Sequence, residues 1–334
     1  MSKRNKIFLI VGAIIGFGLI LLWLRYIPLN EVKMYFKQII PIYVVLAVVT
    51  YLLAYFVRSY RWNLILRQNI TLPVRDTWLY AMGGNLVNYI IPIRAGELVK
   101  AWFIKKNHQM AMSQTLASVF IDKTFDTLAI ISVIVLIPFL AINLNMGLSI
   151  LLMLLILVFV ISVGALLLAA WRKDLILKYL VLLIRLFPKR FQTRLEGTIN
   201  NFVEGLNLLE HRPRILLGAV LLTGLGILLD GLYFFLMFKA FGIQFSFIMV
   251  LFGYTLINMS YALPQPPAQL GSNEWMMIII FSMGFSLTKS SASAIMAFAH
   301  ILTAMLMGLV GSIAFAVSGY EVVQMIIKGE KIDG

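Results

Sequence analysis

The chain has 334 residues, of which 61% are hydrophobic and 13% charged, with a net charge of +14. Soluble domains carry roughly one quarter charged residues, so this composition excludes an ordinary soluble enzyme or binding domain and requires lipid as the solvent for most of the surface. The chain contains no cysteine, which removes disulfides, thiolate nucleophiles and cysteine metal sites from consideration.

The expected fold class is an all-α polytopic integral membrane protein, with residues 1–334 as a single transmembrane domain. Residues 7–24 follow Lys3, Arg4 and Lys6 and form the first apolar run. The run is longer than a signal-peptide core and no small-x-small cleavage site follows it, so it reads as an uncleaved span. Gly12 and Gly16 within it are spaced for close helix approach, which suits packing inside the chain and leaves a homo-oligomer open. A second run covers residues 39–57, and a basic loop follows over residues 58–76.

Residues 77–104 are apolar but interrupted. The break reads Asn85-Leu-Val-Asn88-Tyr-Ile-Ile-Pro92-Ile-Arg94-Ala-Gly96-Glu97. Pro92 stops one helix, Gly96 is read as the turn residue, and Glu97 suits the start of the next helix. A break at membrane depth must lie inside protein or line a wet cavity.

The run at residues 115–139 contains Asp122-Lys123-Thr-Phe-Asp126. Asp122 and Asp126 share a helix face and Lys123 can pair with Asp126. The cluster is net acidic and calls for cations, for which Arg94 and Lys100 are the candidates. Charged groups within spans face partners or water routes. A further span is expected over residues 147–171. Residues 175–210 read as amphipathic helices on the cytoplasmic surface, or packed on the ends of the bundle.

The run at residues 215–238 carries Asp230 with no evident partner. A second interrupted region covers residues 247–285, broken at Pro264-Gln-Pro-Pro-Ala-Gln269-Leu-Gly271-Ser-Asn273-Glu274. It reads as a re-entrant pair or as two complete spans. Residues 292–318 form the last run and contain His300, expected to be a hydrogen-bonded packing residue. The total is six full spans and two Pro/Gly-broken helix pairs, with the shared order Pro, Gly, Glu suggesting a weak internal repeat, inverted or not.

About 22 of the 28 Lys and Arg fall on one side when the N-terminus is placed in the cytoplasm, a positive-inside pattern with both termini cytoplasmic. This orientation requires residues 77–104 to enter from the cytoplasm and return to it. Paired broken helices point to a transporter's binding site. The residues expected to bind substrate are Asn85, Asn88, Arg94, Glu97, Lys100, Gln269, Asn273 and Glu274. Asp122, Lys123, Asp126 and Asp230 are expected to form an intramembrane charge network. An internal ion pair between Arg94 and Glu97 is the competing assignment for the first break, and proton coupling through Asp230 or Glu274 is a further one. His108, His211 and His300 have no metal-ligand spacing, and no nucleotide-binding or nucleophile motif is present. The expectation is a non-enzyme with no cofactor, no metal and no nucleic-acid partner.

These motifs resemble the transmembrane part of lysylphosphatidylglycerol synthases, the flippase-like membrane protein family, in its free-standing form. Asn88-x3-Pro92-x-Arg94-Ala-Gly96-Glu97 is similar to that family's N-x3-P-x-R-x-G-E, and Asp122-Lys123-x2-Asp126 to its acidic-Arg-x2-Asp. Pro266-Pro-Ala-Gln-Leu-Gly271-Ser-Asn-Glu274 is similar to its loop ending in Gly-x2-Glu. Lys123 stands where Arg is usual, Ala268 where Gly is common, and Asn273 where Arg is often found. The resemblance implies movement of an anionic phospholipid or polyprenyl-linked lipid between leaflets of a prokaryotic cytoplasmic membrane, with membrane lipids as partners. No segment has the polar balance of the soluble aminoacyl-transfer domain, so lysyl transfer is not implied. An ion-coupled solute transporter and a membrane-embedded lipid-modifying or accessory protein are the alternative functions.

Overall fold

A computed structural model describes residues 3–67, 69–91, 95–134, 213–261 and 265–318, with the isolated positions 146, 150, 153 and 157. Pro92, Arg94, Pro264, most of the expected span at 147–171 and the amphipathic segment at 175–210 lie outside them. The described residues form helices α1 (Lys3–Tyr26), α2 (Leu29–Lys37), α3 (Pro41–Leu66), α4 (Val74–Ile90), α5 (Gly96–His108) and α6 (Met112–Ile134). After the gap come α7 (Pro213–Ala240), α8 (Phe247–Ser260), α9 (Ser272–Met277), a π-helical continuation of α9 over Ile278–Gly284, and α10 (Lys289–Ser318). No strand occurs among the described residues.

Three helices, Pro41–Leu66, Arg214–Ala240 and Lys289–Ser318, are long and apolar enough to cross a bilayer, and α1 with α2 adds a fourth if that pair, bent by 88°, is one span. The expected six spans are therefore met only in part. The bend falls at Pro28, which precedes α2 and has no N–H to continue the ladder. Residues after Tyr26, expected as an outer loop, instead form amphipathic α2, whose Phe36 ring meets Phe241 at 6.0 Å and Phe298 at 5.9 Å.

α3 and α7 pair antiparallel along their length: the Tyr51 ring lies tilted against Tyr233 at 5.4 Å, and a Cβ on Gly218 would lie 2.9 Å from Leu64. Small residues on one helix permit this approach. On the outer face of α10, Ile301, Met305, Leu309, Ile313 and Val317 are all exposed at one-turn spacing. An apolar stripe of this kind needs lipid or a partner against it.

Both interrupted regions fold as antiparallel hairpins. In the first, Tyr80 Oη on α4 lies 3.0 Å from His108 Nε2 at the far end of α5, and its ring stacks on Phe103 at 5.1 Å. In the second, Phe281 packs on Gly253, and Phe252 faces Phe285 at 6.3 Å. The arms have 17, 13 and 14 residues in α4, α5 and α8. At 1.5 Å per residue they reach roughly 20–25 Å, short of the ~30 Å hydrocarbon core.

α10 holds the two hairpins together. Its Gly311 lies against Leu86 and its Ala314 against Gly83, so it runs antiparallel to α4. Tyr89, at the tip end of α4, meets the His300 ring edge-on at 6.2 Å. His300 Nε2 lies 2.7 Å from the carbonyl oxygen of Ala268 in the second break. Both tips therefore meet near the middle of a 30-residue helix that is about 45 Å long.

Candidate functional site

The first group of polar residues is an ion-pair chain across four helices. Arg61 on α3 is 1% exposed. Its Nε donates to Asp122 Oδ1 at 2.7 Å, its Nη1 to Thr223 Oγ1 at 2.9 Å, and its Nη2 to Asp126 Oδ1 at 2.7 Å and the Asp122 carbonyl at 3.1 Å. Arg58, one turn earlier, grips Asp230 of α7 with both terminal nitrogens and reaches Asp126 at 3.8 Å. Lys123 bridges Asp126 at 3.4 Å and Glu97 at 3.5 Å. Lys100 pairs with Glu97 at 3.0 Å and lies over the Trp62 ring.

The expected network residues are thus brought together, but with different cations from those expected. Arg58 and Arg61, counted above as loop charges, lie on α3, which runs to Leu66 because Trp62, Ile65 and Leu66 are all buried. Lys100 serves Glu97 rather than the aspartates, and Asp230, expected to be unpartnered, is held by Arg58. The signal for both arginines was in their spacing: residues three apart on a helix share a face, as do Asp122 and Asp126 at four. Four cations and four carboxylates balance in this described cluster.

Asn88 closes the first hairpin. Its Oδ1 accepts the Gly96 N–H at 2.7 Å and its Nδ2 donates to Glu97 Oε1 at 3.1 Å. The Gly96 N–H at the start of α5 is therefore already occupied. Gly96 is also not a left-handed turn residue, since positive φ among glycines occurs at Gly242 and Gly271. Its role is close approach: a Cβ there would strike the Gly84 carbonyl and come within 2.7 Å of the Asn88 side chain. Asn85 is half-buried on α4 and makes no side-chain hydrogen bond among the described residues.

The second group sits at the other break. Glu274 is 3% exposed and His300 7%. Glu274 Oε1 lies 2.5 Å from His300 Nδ1, while Glu274 Oε2 is buried without a hydrogen-bond partner among the described residues. Asn273 Nδ2 donates to Gln269 Oε1 at 3.0 Å, and Ser272 Oγ to the Gln269 carbonyl at 2.9 Å. His300, expected as a packing residue, is instead the partner of Glu274. The first hairpin does not supply a cation to Glu274 among the described residues.

Ala268 has φ 53° and Gln269 φ 57°, a left-handed region that costs a residue with a Cβ roughly 1–2 kcal/mol. Gly relieves that cost but loses more chain entropy on folding. Ala268→Gly is expected to raise stability by about 1 kcal/mol, read as a shift of the thermal midpoint in detergent.

A family model described as the lysylphosphatidylglycerol synthase TM region matches residues 9–311. The chain is 23% identical over 309 residues to a UPF0104 membrane protein of Methanothermobacter thermautotrophicus, covering 88% of this chain and 90% of the relative. Two UPF0104 membrane proteins of Methanocaldococcus jannaschii, MJ1595 and MJ1078, are each 23% identical. The first match covers 92% of this chain and 94% of the relative, the second 73% and 97%. No solved structure matches the chain.

Proposed function

Because the chain belongs to the lysylphosphatidylglycerol synthase TM region family, we propose that this multi-pass membrane protein moves an anionic phospholipid or polyprenyl-linked lipid between leaflets, through a polar site between its two hairpin tips. The observation that carries the reading is that both tips meet at the middle of α10. A headgroup crossing a bilayer needs polar partners at mid-depth and walls whose backbone is satisfied by protein, and two half-span hairpins supply both. The orientation that goes with this reading has both termini cytoplasmic, following the bias of basic residues.

Charge balance supports a division of roles. In the ion-pair chain, Glu97, Lys100, Asp122, Lys123 and Asp126 are already matched, which makes them supports of the first hairpin more than headgroup ligands. Arg94, between Ile91 and Ala95, adds a positive charge beyond the four pairs of that cluster. Its planar guanidinium suits a phosphate. Asn85 on α4 and the Gln269–Asn273 pair add neutral hydrogen-bonding groups at the two hairpins. These residues are the proposed headgroup contacts.

The test is transbilayer movement in liposomes, using labelled phosphatidylglycerol and a labelled polyprenyl phosphate. The native protein is expected to exceed empty liposomes for at least one of them. Arg94→Ala is expected to lower the initial rate about tenfold or more, the loss of one charge-assisted contact of roughly 1.5–3 kcal/mol, with unchanged yield of folded protein. No movement above empty liposomes with any anionic or polyprenyl-linked lipid would overturn the reading.

A further inference from the structure

The two hairpins carry a glutamate each near the start of their return helices, Glu97 and Glu274, and the two are neutralised in different ways. Glu97 is held by Lys100 and Lys123. Glu274 faces no lysine or arginine within ion-pair distance among the described residues; its partner is His300. Histidine is the side chain whose charge changes between about pH 5 and 8.

The hydrogen bonds count the protons. His300 Nε2 faces the Ala268 carbonyl oxygen, which can only accept, so Nε2 carries a hydrogen. One proton then remains for the 2.5 Å contact between His300 Nδ1 and Glu274 Oε1. It sits either on the imidazole, donating to a carboxylate, or on the carboxylic acid, donating to Nδ1. The pair is neutral in both forms. Loss of that proton sets two lone pairs against each other and leaves a net negative charge. A second added proton goes to Glu274 Oε2, which is buried and unpartnered among the described residues, and leaves a net positive charge. Each change puts an uncompensated charge in a buried place.

Among the described residues, the surroundings compensate neither change. From α4 the facing group is Tyr89, edge-on at 6.2 Å. From the end of α8 it is Tyr261, whose hydroxyl bonds Asn273. From α1, Leu19 and Tyr26 reach Trp275, one residue away. On α2 the nearest acid is Glu31, bonded to Ser290, ten residues before His300 and so about 15 Å along α10.

We infer that Glu274 and His300 form a proton-binding site, and that its occupancy sets whether the 267–271 loop is tied to α10. The tie runs from the Ala268 carbonyl through the imidazole to Glu274, joining loop, α9 and α10 by one ring. The first hairpin is pinned by lysine–glutamate pairs, while the second is pinned by a proton. It is therefore the second hairpin that moves with pH. This deepens the lipid reading by naming the ion that controls its site, but its measurement involves no lipid movement.

The chain has no cysteine, so Leu270→Cys, at a position 43% exposed, can take a single nitroxide label directly. The experiment follows the mobility of that label and the imidazole 15N resonances of the full-length protein between about pH 5 and 9. Of the three histidine signals, that of His300 is assigned by its loss in His300→Gln. The expected result is that the His300 signals and the Leu270 label change in the same pH step, the mobile fraction by about threefold or more. A label at Ile90 is expected to stay constant, and the step at position 270 to vanish in His300→Gln. Constant His300 signals, an unresponsive label, or a step that persists in His300→Gln would overturn the inference. Should His300→Gln fail to fold, Glu274→Gln makes the assignment by shifting its partner's signal, and coincidence of the two native titrations decides. Proton-dependent loop motion without lipid movement would uphold this inference and reject the lipid reading; lipid movement with a static loop would do the reverse.

Discussion

Replacing Arg61 with methionine is expected to remove about 3–5 kcal/mol of stability, seen as loss of monodisperse protein in mild detergent or a large fall in thermal midpoint. Arg61 makes hydrogen bonds to Asp122, Asp126 and Thr223 while 1% exposed. Removing it leaves buried Asp122 and partly exposed Asp126 with too little positive charge. Arg61→Lys is expected to fail nearly as badly. An ammonium cannot present Nε to Asp122 and Nη2 to Asp126 in one plane, and its shorter reach abandons Thr223. The recovery variant is Arg61→Met with Asp122→Asn and Asp126→Asn, which removes cation and carboxylates together. Its stability should exceed that of Arg61→Met alone, because replacing a buried pair by neutral groups costs far less than orphaning one charge. A triple variant no better than the single would mean that Arg61 acts by packing, through its place beside Phe125, and not by charge.

The ion-pair chain also shows what a linear reading can and cannot recover. Asp122, Lys123 and Asp126 stand out because charge is expensive in an apolar run, so their importance is visible in one dimension. Their partners are not, because Arg58 and Arg61 lie where an apolar run ends and charges ordinarily mark a loop. The helix continues there because its apolar face is buried and because α6 and α7 supply the compensating carboxylates, which is tertiary information. The same applies to Glu274. Its carboxylate at a helix start is legible, but His300 is 26 residues away and reaches it only after the second hairpin folds against α10. The breaks were legible because Pro and Gly act locally on the backbone. At the second break hydropathy alone allows either a half-span or a full crossing, and the antiparallel pairing of its two arms is tertiary information.

Gly96 carries the second large expected effect. Proline and glycine at a break suggest a turn, yet Gly96 is the first residue of α5 and lacks positive φ. Its glycine character serves the contact between backbones. A Cβ at position 96 would strike the Gly84 carbonyl, and a Cβ at position 84 would come within 2.7 Å of the Gly96 carbonyl and 2.6 Å of Lys100 Cγ. Each glycine therefore makes room for the other's peptide group. Gly96→Ala cannot be absorbed by a rotamer change, because a carbonyl oxygen moves only with its helix. The expected cost exceeds the 1–3 kcal/mol typical of core overpacking, so about 3 kcal/mol or more. Gly84→Ala should cost less, since its overlaps, at 2.6 Å and 2.7 Å, are milder than the strike at position 96. With both substitutions the losses should fall short of their sum, because one separation of α4 from α5 relieves both clashes. Gly224→Ala is the control: nothing lies within 4 Å of a Cβ there, and in a helix interior it should stabilise by roughly 0.5–1 kcal/mol. The same separation would break the Asn88 bonds to Gly96 and Glu97 and so loosen the first tip from the ion-pair chain. Gly96→Ala protein that survives purification should therefore also lose the transbilayer activity proposed above, although no headgroup contact was removed. Unchanged stability in Gly96→Ala would mean that α4 and α5 do not approach as closely as their two glycines allow, and the shared site at the hairpin tips would lose its support.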